Sequence, residues 1–131
     1  MHAAGKESEI SSVVEASVEK YGIHAYRVLR KSIRGTGLQA HHLIEKRFAA
    51  TLEMKASEIP SIALPKVVHQ VFTNLWRNAI SYGEGTLNAT KENIIKAVER
   101  IYKDFPGLLD KTTEYLNSLD SSLHITYENN T

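Results

Sequence analysis

The run from Lys66 to Ser81 constrains this chain more than any other stretch. Val67, Val68, Val71, Phe72, Leu75, Trp76, Ala79 and Ile80 recur there at three- and four-residue spacing. That spacing lines one broad side of a helix with apolar surface that other elements must cover. Pro65 stands just ahead, where a proline's fixed φ suits a first helical turn and its missing N–H removes nothing. Gly83 and Gly85 follow and end the pattern. At 131 residues and 42% hydrophobic content the chain is long enough to close one core around such a helix. Residues 1–131 are therefore expected to form a single domain.

The covering elements are legible on both sides. Ile10, Val13, Val14, Val18 and Tyr21, continued by Ala25, Val28 and Leu29, predict an amphipathic helix that Gly22 interrupts or bends. Gly35-Thr36-Gly37 is turn chemistry. Leu38 to Ile44 reads as a short strand or extended loop, and Glu45 to Met54 as a helix. Ile59 to Leu64, bounded by Pro60 and Pro65, reads as a strand too short to carry a ladder far. Beyond the central helix, Thr90 is placed as an N-cap. It precedes a helix bearing Ile94, Ala97, Val98, Ile101 and Tyr102 that stops before Pro106-Gly107. Leu108, Leu109, Tyr115, Leu116 and Leu119 predict one more helix, and the alternation of Leu123, Ile125 and Tyr127 a short final strand. The sum is an α+β fold, mostly helical.

Composition excludes several functions. With no cysteine, disulfides and thiolate metal sites are out, and any metal must be held by His, Asp, Glu or Asn. A net charge of +1 carries no global signature of a nucleic-acid binder. Even so, Lys31, Arg34, Lys46, Arg47, Lys55, Lys66 and Arg77 crowd the stretch that also holds three histidines, so a local basic face is possible. The opening Met-His-Ala-Ala-Gly lacks the apolar core of a signal peptide, and no apolar run approaches the roughly 20 residues of a membrane span. No glycine-rich phosphate loop of dinucleotide or Walker type and no serine nucleophile elbow is present.

The chemistry lies in the adjacent pair His41-His42 and in His69, one turn into the strongest helix. Neighbours in an extended segment point to opposite faces. One ring of such a pair can therefore meet a metal while the other meets water or substrate. Phosphodiester hydrolysis needs that division, because a water must lose a proton while a cation stabilises charge on phosphate and leaving oxygen. Imidazole serves both roles, as a neutral base near physiological pH and as a ligand for zinc-like and nickel-like ions. Each feature alone also has an ordinary reading: a His-His pair is commonly a half-exposed strand feature, and a helix histidine beside an apolar stripe commonly packs. His24 reads as a packing or surface residue, His2 and His124 as terminal residues without a specific role, and Trp76 as core or cleft floor.

The order of the pieces adds a resemblance. Gly37-Leu38-Gln39-Ala40-His41-His42-Leu43-Ile44, then Ser61-Ile62-Ala63-Leu64, then Pro65 and a helix with His69, resembles the ββα-metal core of His-Me finger (HNH/endonuclease VII) nucleases over about residues 35–80. More narrowly, Ala-His-His-Leu-Ile resembles the signature of AHH-type toxin nucleases at the C-termini of bacterial polymorphic toxins, including contact-dependent inhibition and Rhs proteins. The resemblance implies a ββα-metal core braced by flanking helices and a metal-dependent endonuclease using Mg²⁺, Mn²⁺, Ni²⁺ or Zn²⁺. Its action would be on nucleic acid, DNA before RNA. It implies His42 as general base, His41 and His69 as metal ligands, and Thr73 as a further ligand where several relatives carry His or Asn, with water or Asn74 as substitutes. The Asn that orients the base in relatives falls at Pro60 here, and Ser61 is the nearby polar residue. Lys46, Arg47, Lys66 and Arg77 are the candidate substrate-binding side chains. As a toxin, the domain would be delivered from one bacterium, as part of a larger secreted or cell-surface protein, into a neighbour's cytoplasm, and a cognate immunity protein would silence it in the producer. Two other readings stay open: an RNase on the same metal fold, and a non-enzymatic helical interaction module whose histidines only pack.

Overall fold

Gly22 divides the N-terminal part of the chain. The computed structural model describes the backbone of residues 2–130 and the side chains of residues 9–119. In it, helix α1 (His2–Tyr21) ends where Gly22 takes φ 77°, a left-handed conformation that side-chain-bearing residues rarely adopt. A Cβ at that position would also come within 2.6 Å of His24 Nε2. The helix therefore does not continue through Leu29. The chain instead forms a two-residue strand, β1 (His24–Ala25), and a separate helix, α2 (Tyr26–Ser32).

Two further strands follow, β2 (Gln39–His42) and β3 (Pro60–Leu64), and β3 is the centre of an antiparallel sheet of order β1-β3-β2. His42 and His24 both pair with Ser61, and His41 pairs with Ile62. The short proline-bounded strand thus carries ladders on both sides. It can, because Pro60 opens the strand and Pro65 lies beyond it, so no N–H is missing from its interior.

The helix expected over Glu45–Met54 is reduced to a single turn around Lys46–Phe48. Glu53 adopts φ 51°, the Met54 N–H reaches back to the Ala49 carbonyl at 2.9 Å and the Glu53 N–H to Ala50 at 3.2 Å. This is the paired 6→1 and 5→2 closure that terminates a helix. A second such turn, Ala56–Glu58, leads into β3.

The amphipathic helix forms as expected: α3 (Lys66–Ala79) starts directly after Pro65. A short helix, α4 (Glu84–Asn88), which the sequence pattern does not announce, precedes α5 (Lys91–Ile101). Thr90 caps α5 with a reciprocal box: its Oγ1 accepts from the Asn93 N–H while the Asn93 side chain accepts from the Thr90 N–H. Helix α6 (Pro106–Asn130) closes the chain. Leu123, Ile125 and Tyr127, expected as a strand, fall within the span of α6, and their side chains lie outside the described residues, as do those of His2 and His124.

Strand alternation separates two apolar clusters. Ile62 and Leu64 join Phe72, Trp76, Ile94, Val98, Ile101, Tyr102 and Leu116 in the larger core, which also takes in Val14, Leu43, Phe48 and Leu52. Ala63 turns the other way and meets Leu29 and Ile33 of α2. The sheet is thus packed by α3 and α6 on the side of the larger core and by α2 on the other, with α1 running against β3. Ser17 of α1 donates a hydrogen bond to the Ala63 carbonyl. Among the described residues no helix is long and apolar enough to cross a membrane.

Candidate active site

Pleating of β2 assigns its side chains to the two faces in turn. Gln39 and His41 face α3; Ala40 packs with the α2 cluster, and His42 lies flat on Tyr26, the first residue of α2, with ring centroids 4.0 Å apart and planes 11° from parallel. His69, on the first turn of α3, meets the edge of His41 at 5.2 Å. All three histidines line one open cleft of about 430 Å³, together with Tyr26, Ala40, Glu45, Lys46, Arg47 and Tyr82.

The hydrogen bonding differs sharply among the three. His41 is 2% exposed and its Nε2 lies 3.0 Å from the Tyr102 hydroxyl. That hydroxyl also donates to the Leu43 carbonyl at 2.6 Å and accepts from Trp76 Nε1 at 3.3 Å. His69 Nδ1 lies 2.7 Å from Gln39 Oε1. His42 Nε2, by contrast, is buried with no hydrogen-bond partner among the described residues, so its hydrogen-bonding capacity is not spent on the fold.

Burial, followed by the positive charge of His69 and His42, holds the His41 imidazole well below its ordinary pKa. Burial and then Lys46 push His42 down to about 4, against a hydrogen bond with the Ala56 main chain that works the other way. Burial lowers His69 as well. All three rings are thus neutral at pH 7, the form that accepts a proton or a metal ion. Burial raises the Glu45 carboxyl, opposed by Arg47, by Tyr82 and by Arg77.

The Ala56 main chain works to raise the His42 pKa, whereas Ser61, expected beside the base, donates its hydroxyl to the Ile59 carbonyl. Thr73 turns its hydroxyl back to the His69 carbonyl at 3.1 Å and does not line the cleft, and Asn74 is engaged with Gln70 on the exposed side of α3. Lys46 lines the cleft and is exposed; Lys66 is exposed at the start of α3, away from the cleft lining. Arg77 lies over the Tyr82 ring at the cleft border, 5.1 Å from its centroid.

Arg47 lines the cleft but is not free to grip a substrate. Its Nε donates to Glu45, Nη1 to the Ser81 carbonyl and the Thr86 hydroxyl, and Nη2 to the Trp76 and Ile80 carbonyls. A guanidinium has five N–H donors, and each one here has a protein acceptor. Arg47 therefore caps the C-terminal end of α3, where a cation also opposes the helix dipole, and is sandwiched by the rings of Phe48 and Tyr82 at 4.3 and 4.5 Å. It adds charge to the cleft and no hydrogen bond.

Sequence reasoning missed the supporting residues. Gln39 was findable, since it stands two residues before His41 and so shares its strand face. Tyr102 was visible only as an apolar position at the end of the helix expected there, just past α5, because its partner is 61 residues away. Trp76 is fully buried and belongs to the core.

As to what could be held here, His41 and His69 each keep one ring nitrogen without a hydrogen-bond partner among the described residues. No group of three or more His, Asp or Glu able to hold a metal ion is gathered among those residues. A two-imidazole donor pair fits a cation that takes the rest of its shell from water or phosphate, not a closed structural zinc site. No protein-family model, curated protein or solved structure matches this chain. Fold and site define a mostly helical α+β domain with a cation-flanked, three-histidine cleft where a β-hairpin meets a helix.

Proposed function

We propose that this chain is a metal-dependent endonuclease domain that hydrolyses phosphodiester bonds of nucleic acid, DNA foremost. One observation carries this reading: histidines from two separate elements share one cleft, and among them His42 presents a buried ring nitrogen with no partner among the described residues. His42 would take a proton from water at that nitrogen once the ring is opened to the cleft, and its stack on Tyr26 orients the ring. His41 and His69 are the side chains that would hold a divalent cation. When bound, such an ion supplies a Lewis acid for charge on the phosphate. Lys46 adds a fixed positive charge beside His42, and Arg47 and Arg77 extend the positive field around Tyr82. An overall charge of +1 thus coexists with a locally basic cleft. In a toxin, that cleft is the surface an acidic immunity protein would cover, through Lys46 and Arg77.

The deciding experiment incubates the purified chain with plasmid DNA and with tRNA, each with chelator or with added Mg²⁺, Mn²⁺, Ni²⁺ or Zn²⁺. Nicking of plasmid that chelator abolishes is the expected result. Cleavage of tRNA alone moves the substrate to RNA, and no cleavage of either polymer under any ion rejects the reading.

A further inference from the structure

The hydrogen-bond network behind the cleft fixes which nitrogen of each ring is left free. A tyrosine hydroxyl has one proton to donate. At Tyr102 that proton goes to the Leu43 carbonyl, which can only accept, at 2.6 Å. Trp76 Nε1, which can only donate, points at the same oxygen from 3.3 Å. His41 Nε2, 3.0 Å away, therefore cannot receive a proton from Tyr102 and must give one. At His69 the argument is shorter: the Gln39 amide turns its Oε1 to the ring, a carbonyl oxygen can only accept, and so the His69 Nδ1 at 2.7 Å is the donor in this orientation of the amide.

We infer that Tyr102 and Gln39 are positioning residues that lock His41 as the Nε2–H tautomer and His69 as the Nδ1–H tautomer, leaving His41 Nδ1 and His69 Nε2 as the lone-pair atoms of the cleft. The two locks are complementary. The rings meet edge to face at 5.2 Å, and each is held from behind by a group that is neither charged nor able to change its own proton count near neutral pH. Metal-binding histidines generally show this pattern, with the second nitrogen donating to an outer partner that sets the tautomer and raises ligand basicity. Tyr102 suits the part because its oxygen is already bound to the Leu43 carbonyl and to Trp76 Nε1. It cannot swing to offer its proton to His41 without leaving the Leu43 carbonyl, a buried acceptor, unpaired.

This inference refines the proposed site, yet its test reads ring nitrogens in the metal-free protein, so it fails separately from the nuclease reading. Long-range ¹H–¹⁵N correlation spectra of the full chain at neutral pH with chelator distinguish the two neutral tautomers of each histidine. His41 should show a protonated Nε2 and a bare Nδ1, and His69 the reverse; either ring in the opposite form overturns the lock at that ring. Tyr102→Phe keeps the packed ring and removes the oxygen, and should convert His41 to a mixture of tautomers while His69 is unchanged. Gln39→Leu should release His69 and Gln39→Glu should retain its Nδ1–H form. Unchanged spectra in Tyr102→Phe and Gln39→Leu would show that the tautomers are set by something else. Should Tyr102→Phe not fold, the parent spectrum and the half-exposed Gln39 pair still decide. In calorimetric titration with Ni²⁺, releasing either ring should weaken affinity about 10–100-fold, and Gln39→Glu should restore it.

Discussion

The two walls of the cleft are built from similar polar residues close together in the chain, and they do opposite things. On the histidine wall, His42 keeps a buried nitrogen without a partner, and His41 and His69 each keep one ring nitrogen unbonded, among the described residues. On the arginine wall, every donor of Arg47 is taken by Glu45, Thr86 and the carbonyls that end α3. Polarity in a cleft is therefore not a guide to function by itself. What separates a working group from a structural one is whether its hydrogen-bonding capacity is left over once the fold is made.

The comparison is broken most easily at His42. His42→Ala should lower nucleic-acid cleavage by about 10²–10⁴-fold while leaving metal affinity intact. Single-turnover cleavage beside Ni²⁺ titration measures both, and a variant as fast as the parent would put His42 with Arg47 among the structural groups. His41→Ala and His69→Ala should each reduce Ni²⁺ or Zn²⁺ affinity by about 100-fold or more, given that outer-shell partners alone contribute about 10–100-fold. His24→Ala serves as the control, since that ring lies against Gly22 outside the cleft.

The arginine wall should respond in stability instead. Arg47→Met removes a cation that caps α3 and leaves Glu45 and several carbonyls unpaired, at a cost of about 2–3 kcal/mol, the scale of a hydrogen-bonded charge. Chemical denaturation should register this loss, whereas weaker nucleic-acid binding with unchanged stability would return Arg47 to the substrate-binding set.

Acid should act through the histidine wall. The three imidazoles are held neutral in the fold, while in the unfolded chain they take up protons below about 6.5, so the unfolded state binds more protons as pH falls. For His42 the contribution is whole above the ordinary value of 6.5 and is lost as pH falls through about 4. The melting temperature of the chelated protein should drop by ~5 °C between pH 7.5 and 5. His42→Phe should flatten part of that slope, and an unchanged slope would mean that His42 is not the group held neutral. The smallest effect belongs to Thr73→Ala: with its hydroxyl bonded to its own helix, metal affinity should stay within about twofold, and a larger loss would restore Thr73 as a ligand.

Much of this architecture could be read from the chain alone, because it rests on local periodicity and backbone chemistry. The stripe from Val67 to Ile80, the Thr90 cap and the break at Gly22 each depend on residues within a turn or two of one another, whereas the strand order β1-β3-β2 joins His24 and His42 to Ser61 across the chain. The expected meeting of His41, His42 and His69 required only that a hairpin be followed by a helix. Tertiary structure alone decided what each polar group is left free to do. The partners of Arg47 lie up to 39 residues away and the partner of His41 lies 61 away, and no spacing rule reaches that far. The Glu45–Met54 helix is cut short for a related reason: Arg47 reaches the end of α3, Glu53 turns left-handed and closes the turn, and these contacts outweigh a few tenths of a kcal/mol per residue of helix propensity. Periodicity tells which face of an element is buried, whereas spare hydrogen-bonding capacity is a property of the finished packing.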